Sequence, residues 1–388
     1  MTPLTTYLNE DKSINVAGLK WFSKNDVITL NIGKLNFGKK SRGKKSIQFE
    51  GIVSDHFTRR DCASRVGEIF DLIGRFTPLT AELKLDLHDL CVRKLDWDDH
   101  VPIDLVPKWK NNFELISKLG EFEFRRCILP EDAVSLEMDT IEMGDSSMKL
   151  ACSAVYARFK RKCGQYSCQL IFGRSKIIPE NMTIPRGELL AAVLTATTGH
   201  VVNTALKKYS SSRLCLTDSQ VALFWITNDK IPQKEWVRNR HIEISRLTPG
   251  PENIWRHIDT KHMTADIGTR RGATMSDVSE TSPWVSGHEW ARKDRSTFPI
   301  KSAAEIKLTN TDLKNVNAET LKMDLTDTGW INQQLSQAFY VGQSQIYAGE
   351  GVVDRIGERY RFSDYILDPN KFRFRKVVRI LALVYCFI

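Results

Sequence analysis

The sequence predicts a mixed α/β fold: one sheet flanked by helices, preceded by a β-hairpin and a helical region, and followed by a C-terminal segment of no assigned structure. Three antiparallel strand patterns between about 136 and 270 precede alternating helical and strand patterns, an order typical of a mixed sheet. The 388-residue chain is long enough for two or three domains. It is 41% hydrophobic and 27% charged, as soluble globular proteins usually are.

The N-terminal third predicts a hairpin and then helices. Residues 18–22 and 27–32 are strand-like and flank turn residues, and the segment from Thr58 to Asp61 has the sequence of a helix cap. Helices are also expected over about 80–94 and 105–119. We interpret the acidic stretch 95–100 as helix capping around a buried Trp97 rather than as a metal site.

The central part predicts the sheet. The expected strands are 135–144, 150–159, 167–175, 213–217 and 253–258. The expected helices follow residue 185, occupy 220–227 and 236–247, and end with a short helix over 264–271. Residues 296–329 are polar and poor in aromatic residues, which predicts a linker; residues 330–368 have no clear pattern, and residues 371–388 are basic and then apolar.

Four carboxylates stand at the ends of these elements: Asp145, Glu188, Asp218 and Asp266. Phosphodiester hydrolysis by two Mg²⁺ ions about 4 Å apart needs only a few such ligands. We expect Asp145, on a rigid middle strand, to bridge both ions, and the other three to complete the set. His262 or His257 lies near Asp266 and could transfer a proton.

Each of these residues also has a simpler interpretation. Asp218 could cap the next helix, and Glu188 suits a helix start through the helix dipole. Asp266 could pair with Arg270 at i+4, and His262 could be a surface or capping residue. The prediction therefore depends on the joint order of the four acidic residues.

The net charge of +9 and the pI near 9.0 favour a polyanionic partner. The terminal apolar run 380–388 is shorter than the about 20 residues that a membrane span requires, so no membrane partner is expected. Eight scattered cysteines without paired CxxC motifs argue against structural zinc and for reduced thiols inside a cell. The candidate phosphate contacts are basic residues near the expected site and in the second hairpin turn: Arg158, Lys160, Arg161, Lys162, Arg238, Arg240, Arg270 and Arg271.

Residues 141–290 resemble the ribonuclease H-like domain of BEL/Pao-type LTR retrotransposon polyproteins. Upstream motifs at 18–21, 57–60, 70–74 and 95–99 resemble the region that joins the reverse transcriptase palm to ribonuclease H. The motifs that carry the first resemblance are Gly-Asp-Ser-Ser at 144–147, Tyr-Ala-Arg-Phe at 156–159, Cys-Gln-Leu-Ile-Phe at 168–172, Arg-Ser-Lys at 174–176, Pro-Arg-Gly-Glu-Leu at 185–189, Leu-Thr-Asp-Ser at 216–219, Trp-Val-Arg-Asn-Arg at 236–240, Ala-Asp-Ile-Gly-Thr-Arg-Arg at 265–271 and Trp-Val-Ser-Gly at 284–287.

The resemblance implies a ribonuclease H-like mixed sheet flanked by helices, and a nuclease that cuts the RNA strand of RNA·DNA hybrids during reverse transcription. The four family carboxylates map onto Asp145, Glu188, Asp218 and Asp266, with two Mg²⁺ or Mn²⁺ ions as cofactors. An intracellular location is implied, either cytoplasmic in a virus-like particle or nuclear. The oligomeric state is left open.

The implied domain order places terminal reverse transcriptase strands in 1–55, the helical connection region in 56–134 and the ribonuclease H-like domain in 135–295. A linker at 296–329 and a segment at 330–388, leading towards an integrase, would follow. Where the family has an Asn-Pro-like pair before Ala-Asp, this chain has Met263 and Thr264. No Tyr-x-Asp-Asp polymerase motif or HHCC zinc pattern occurs, which indicates a polyprotein fragment.

Two other functions are compatible with the sequence. The first is a retroelement remnant that keeps the fold and binds nucleic acid without cutting it. The second is an aspartic peptidase, suggested by the segment from Asp327 to Gly329, Asp-Thr-Gly, although Trp330 follows where such enzymes have a small residue.

Overall fold

The computed structural model describes residues 13–16, 18–32, 56–229 and 233–320. The expected N-terminal hairpin is present within a small antiparallel sheet of order β1-β2-β3-β4. Asp26 adopts a left-handed conformation at its turn and accepts a hydrogen bond from the Trp21 indole at 2.9 Å. The strands of this sheet are β1 Ser13–Val16, β2 Leu19–Phe22, β3 Val27–Leu30 and β4 Phe124–Arg125.

Three helices lie within residues 56–134, the stretch that the resemblance assigns to the connection region and that keeps this name below: α1 Arg59–Glu68, α2 Thr77–Val92 and α3 Val106–Glu121. The cap expected at the start of α1 is confirmed, because Thr58 and Asp61 form a reciprocal capping box. The burial expected for Trp97 is wrong. Trp97 is 50% exposed, and the Arg59 guanidinium lies over its ring, 4.5 Å from the ring centroid.

The mixed sheet predicted from the sequence is confirmed, and it has six strands in the order β10-β9-β8-β5-β6-β7. The central strand β5 runs antiparallel to β6 and parallel to β8, so the ends of β5 and β8 meet at one edge. The strands are β5 Met138–Ser146, β6 Leu150–Lys160, β7 Tyr166–Ile177, β8 Ser210–Thr217, β9 Trp255–Ile258 and β10 Ile300–Lys301.

Helix α4 covers one face of this sheet and approaches β5 closely, because Gly144 and Gly199 leave room for it. A Cβ on Gly144 would collide with Thr195, and a Cβ on Gly199 would collide with Glu142. The helices are α4 Ile184–Ala205, α5 Gln220–Thr227, α6 Glu235–Leu247, α7 Pro251–Ile254, α8 Pro283–Ser286 and α9 Asn310–Ala318, with short 3₁₀ helices at Thr260–His262, Thr264–Gly268, Met275–Val278, Glu289–Arg292 and Arg295–Thr297.

The segment after residue 295 differs from the expected linker as far as residue 320. Strand β10 adds to the sheet edge beside β9, and α9 packs against α5. Ile306, Leu308 and Val316 join the apolar cluster between α5 and α6. Isolated apolar residues in a polar stretch are enough to anchor it here. Residues 321–388, including Asp327 to Gly329, lie outside the described residues.

The connection region packs directly onto the other face of the sheet. The Trp284 indole donates to the carbonyl of Arg75 at 2.8 Å, and the Arg75 guanidinium donates to the carbonyl of Val278 at 3.0 Å. Gly74, with φ of 74°, contacts the backbone of Gly173 on β7. Within the described ranges, no helix has the length and apolarity that a membrane crossing requires.

Candidate metal centre

Three carboxylates converge where β5 and β8 end. Asp145 is the penultimate residue of β5, Asp218 directly follows β8, and Glu188 lies one turn into α4. One oxygen from each lies within 4.8 Å of the others. Gly187 lets α4 approach this edge, because a Cβ there would lie 2.6 Å from the Ser146 hydroxyl. The predicted convergence is thus present for these three residues.

Burial dominates the electrostatics of this cluster. Loss of solvent, partly offset by a hydrogen bond from Thr269, raises the pKa of Asp145 to about 6. Loss of solvent, together with the charges of Asp145 and Asp218, raises the pKa of Glu188 to about 9. Two buried carboxylates and a half-buried one can all be ionised together only if positive charge compensates them.

The residues present fit a divalent cation. Oε2 of Glu188 is buried and has no hydrogen-bond partner, although a buried polar atom normally has one. The donor set consists of carboxylate oxygens, which Mg²⁺ and Mn²⁺ prefer. A cation at this position would both neutralise the cluster and give that oxygen a partner.

Two threonines bind the carboxylates of the cluster, and a histidine lies against the backbone of Asp218. The hydroxyl of Thr269 donates to Oδ2 of Asp145, and the hydroxyl of Thr260 donates to Oδ2 of Asp218 at 2.7 Å. His257 is buried, and its Nε2 lies 3.0 Å from the Asp218 carbonyl oxygen. Neither threonine was predicted as a site residue, although each lies within three residues of a predicted one.

Asp266 does not join the cluster. Its carboxylate forms an ion pair with Arg270 at i+4, which is the simpler interpretation left open by the sequence. Its backbone carbonyl accepts the N–H of Thr269, the residue that contacts Asp145. The 3₁₀ helix that carries Asp266 therefore borders the centre, while the side chain itself is engaged by a cation.

The histidines also lie outside the carboxylate group within the described part of the chain. His262 contacts His288, with 3.5 Å between Nδ1 and Nε2 and an edge-on arrangement of the rings. Burial and the neighbouring His262 lower the pKa of His288. The role of His262 as a proton carrier stays a prediction.

Arg158 is not available to contact phosphate, which corrects the prediction for this residue. Its guanidinium is buried, donates to the carbonyls of Ala291 and Lys293, and pairs with Asp139 at 3.1 Å. It also lies 3.3 Å from the centroid of the Tyr166 ring. A run of basic residues in the sequence predicts a positive charge, but it does not indicate which side chain of the run is buried.

The remainder of the basic run lies at the far end of the sheet. In the register of β5 with β6, Asp145 lies opposite Cys152 and Arg158 lies opposite Asp139. Asp139 is six residues from Asp145 along β5, which places Arg158 roughly 20 Å from the carboxylates. Lys160 and Lys162 are exposed there, and Arg161 pairs with Asp132 at 2.8 Å. Nucleic acid bound at the carboxylates reaches this run only if it extends along the whole strand.

The other predicted basic residues lie on α6 and after Asp266. Arg238, Arg270 and Arg271 are exposed, while Arg240 stacks on the ring of Trp236 at 4.3 Å. Arg186 was not predicted as a basic contact; its guanidinium also lies over Trp236 and pairs with Glu319 at 2.7 Å. Its position two residues before Glu188 was the available signal.

The six-stranded mixed sheet and its carboxylate edge define a ribonuclease H-like domain. Residues 58–219 match the family model described as the Pao retrotransposon-like RNaseH-like domain, so the resemblance stated from the sequence is confirmed over these residues. The matched segment includes the three connection helices and all three clustered carboxylates. No curated protein matches the chain.

Two solved structures are similar to parts of the chain. One is RNase H1 from the halophilic archaeon Halobacterium salinarum NRC-1, at 14% identity and a TM-score of 0.23, covering 33% of this chain and 90% of that one. The other is the foamy viral protease-reverse transcriptase dRH in complex with ds DNA, at 14% identity and a TM-score of 0.33, covering 64% of this chain. The chain spans 38% of the length of that viral protein.

Proposed function

We propose that this protein is a divalent-metal-dependent nuclease of the ribonuclease H type that hydrolyses the RNA strand of RNA·DNA hybrids inside cells. The observation that carries the proposal is the convergence of Asp145, Glu188 and Asp218 within 4.8 Å, with one buried Glu188 oxygen lacking any partner. The choice of substrate comes from the family match rather than from the geometry.

Asp145, Glu188 and Asp218 would hold Mg²⁺ or Mn²⁺, two ions in this proposal. Bound there, the ions would lower the pKa of a water molecule and neutralise charge on the phosphate. Asp145 would hold metal from a rigid position, because β5 lies between β8 and β6 and Thr269 binds one of its oxygens. Asp266 would be the fourth ligand once its carboxylate leaves Arg270.

The chain's own residues provide binding and proton transfer. Exposed Arg270 and Arg271 border the centre and would contact phosphates, with Arg238 and Arg240 on α6 extending that surface. His262, next to the helix of Asp266, would carry a proton during product release.

A second function is favoured by one observation. Because Asp266 is engaged by Arg270, only three of the four family carboxylates form the cluster. A protein in this state could bind nucleic acid through its basic residues without cutting it. The proposal and this alternative differ in whether the bound hybrid is cleaved.

Cleavage of a labelled RNA·DNA hybrid by the purified full chain separates the two functions. We expect cleavage in Mg²⁺, none in EDTA, and a loss of at least about a hundredfold in Asp145→Asn and Asp218→Asn. Asp104→Asn, an exposed aspartate that pairs with Arg93, is the matched control. If the wild-type protein binds the hybrid but never cuts it, the nuclease proposal is wrong and the binding function is supported.

A further inference from the structure

A cavity of about 270 Å³ lies between the connection region and the edge strand β7, apart from the carboxylate centre. Helix α2 contributes Thr77, Thr80 and Lys84 to its wall, and β7 contributes Arg174 and Ser175. The cavity therefore exists only because the connection helices pack against the ribonuclease H-like sheet. Two cations and three hydroxyl groups line it.

The charge balance of this cavity is positive. Burial lowers the pKa of both Lys84 and Arg174; at Lys84 the attraction of Asp71 opposes this shift and the repulsion of Arg174 adds to it. Asp71 is the carboxylate on the wall, and two of its hydrogen bonds come from the backbone N–H groups of Arg75 and Phe76, at 3.0 and 2.7 Å. Two partly buried cations thus face one carboxylate, which attracts Lys84 and accepts hydrogen bonds from two backbone N–H groups, so the cations outnumber the carboxylates on the wall by one.

The cavity also offers directional donors. The Lys84 ammonium lies 3.1 Å from the Ser175 hydroxyl and 3.3 Å from its carbonyl oxygen, which holds the ammonium against the edge of β7. A guanidinium, an ammonium and nearby hydroxyls form the donor set that binds tetrahedral oxyanions.

We propose that this cavity is a binding site for a phosphate group. A phosphate would offset the repulsion between Lys84 and Arg174 and accept hydrogen bonds from the hydroxyls of Thr77 and Ser175, since the Thr80 hydroxyl donates to the carbonyl of Thr77. The site lies two strands from the carboxylate centre, because Ser175 pairs with Cys152 and Cys152 pairs with Asp145. That separation is roughly 10 Å, so the phosphate could belong to a nucleic-acid backbone or be free in solution.

Binding of free phosphate is measured by the melting temperature of the full chain in inorganic phosphate, compared with sodium chloride at equal ionic strength and with EDTA present. We expect phosphate to stabilise the wild-type protein specifically. The apparent dissociation constant should rise roughly tenfold or more in Lys84→Gln and in Arg174→Gln. Lys118→Gln, an exposed lysine on α3 that pairs with Glu114, is the matched control.

Binding of a backbone phosphate is measured by fluorescence anisotropy of a labelled RNA·DNA hybrid at several salt concentrations, again in EDTA. Loss of one phosphate contact should weaken binding and reduce the slope of log K against log salt by about 1. These are binding measurements, so their outcome does not depend on whether the protein cleaves the hybrid.

The two measurements together decide the proposal. If phosphate stabilises the protein through Lys84 and Arg174 but the variants keep the hybrid affinity of the wild-type protein, the site binds free phosphate. If the variants change the slope of log K against log salt for hybrid binding, the site contacts the nucleic-acid backbone. If neither measurement distinguishes Lys84→Gln and Arg174→Gln from Lys118→Gln, the cavity is not a phosphate site. Circular dichroism of each variant shows whether it is folded. Because two variants are tested independently, misfolding of one does not prevent the test.

Discussion

The hydroxyl of Thr269 donates a hydrogen bond to Oδ2 of Asp145. This bond links the residue after the 3₁₀ helix Thr264–Gly268 to the central strand β5. This bond lowers the pKa of Asp145 and opposes the effect of burial. In Thr269→Val the pKa of Asp145 should therefore rise above about 6, because the ionised form loses a donor.

We expect Thr269→Val to lower kcat/KM for hybrid cleavage by roughly tenfold near neutral pH, and to shift the acidic limb of the pH profile to higher pH. Thr269→Ser keeps the hydroxyl and should behave as the wild-type protein. A uniform loss at every pH would mean that Thr269 supports the fold rather than the ionisation of Asp145.

The raised pKa values of Asp145 and Glu188 also predict how stability depends on pH. A carboxyl whose pKa is raised on folding stabilises the protein at pH values below its unfolded pKa, and this contribution disappears as the pH rises through the folded pKa. For Glu188 that loss extends to about pH 9, and for Asp145 to about pH 6. The metal-free protein should therefore lose stability as the pH rises across this range.

Urea denaturation in EDTA at a series of pH values measures this loss. Glu188→Gln should flatten the dependence and should stabilise the metal-free protein at mildly alkaline pH by on the order of 1–3 kcal/mol. Mg²⁺ should stabilise the wild-type protein more as the pH rises, because it binds the ionised carboxylates. A variant with the same pH dependence as the wild-type protein would contradict the assigned burial of Glu188.

The Arg158 guanidinium contacts two carbonyls, Asp139 and the Tyr166 ring, so its removal should affect folding rather than nucleic-acid binding. We expect Arg158→Gln to lower the free energy of unfolding by about 2–4 kcal/mol, since it leaves buried acceptors without a donor. Lys160→Gln, on the exposed neighbour, should leave stability unchanged. Hybrid affinity of the folded fraction of Arg158→Gln should match that of the wild-type protein.

The sequence predicted well those parts of the fold that local pattern determines. The helix over 220–227 was placed with the bounds that it has, because Ser219 caps it and an apolar run fills it. The three antiparallel strands were placed within three residues of their ends. By contrast, β10 and α9 were missed, because their anchoring depends on a few apolar residues meeting a surface made by distant helices.

The candidate site was predictable to the same extent. Asp145, Glu188 and Asp218 stand at element ends that the sheet topology forces together, so their order along the chain was sufficient. Asp266 depends on the geometry of a 3₁₀ turn and on competition from Arg270. No periodic pattern in the sequence indicates whether a carboxylate on such a turn binds a metal ion or pairs with a neighbouring arginine.

Glu82 on α2 links the connection region to the loop that follows Thr269. Its Oε1 accepts the backbone N–H of Ala273 at 2.7 Å and that of Gly272, directly after the segment that carries Asp266 and Thr269. We expect Glu82→Gln to reduce kcat severalfold with little change in KM, because a neutral amide holds the loop less firmly. Glu121→Gln, at the end of α3, is a matched control, and an equal effect in both variants would exclude this positioning role.

The ion pair between Asp266 and Arg270 gives a direct test of the fourth ligand. If Asp266 must leave Arg270 to bind metal, Arg270→Gln should tighten Mn²⁺ binding by a few-fold and Asp266→Asn should weaken it. Mn²⁺ binding by electron paramagnetic resonance, without nucleic acid, avoids any effect of Arg270 on hybrid affinity. Because Arg270 also lowers the pKa of Asp145, the titration belongs at a pH well above 6. Arg271→Gln is the matched control, and equal Mn²⁺ affinity in all variants would leave Asp266 a structural residue and the centre a three-carboxylate site.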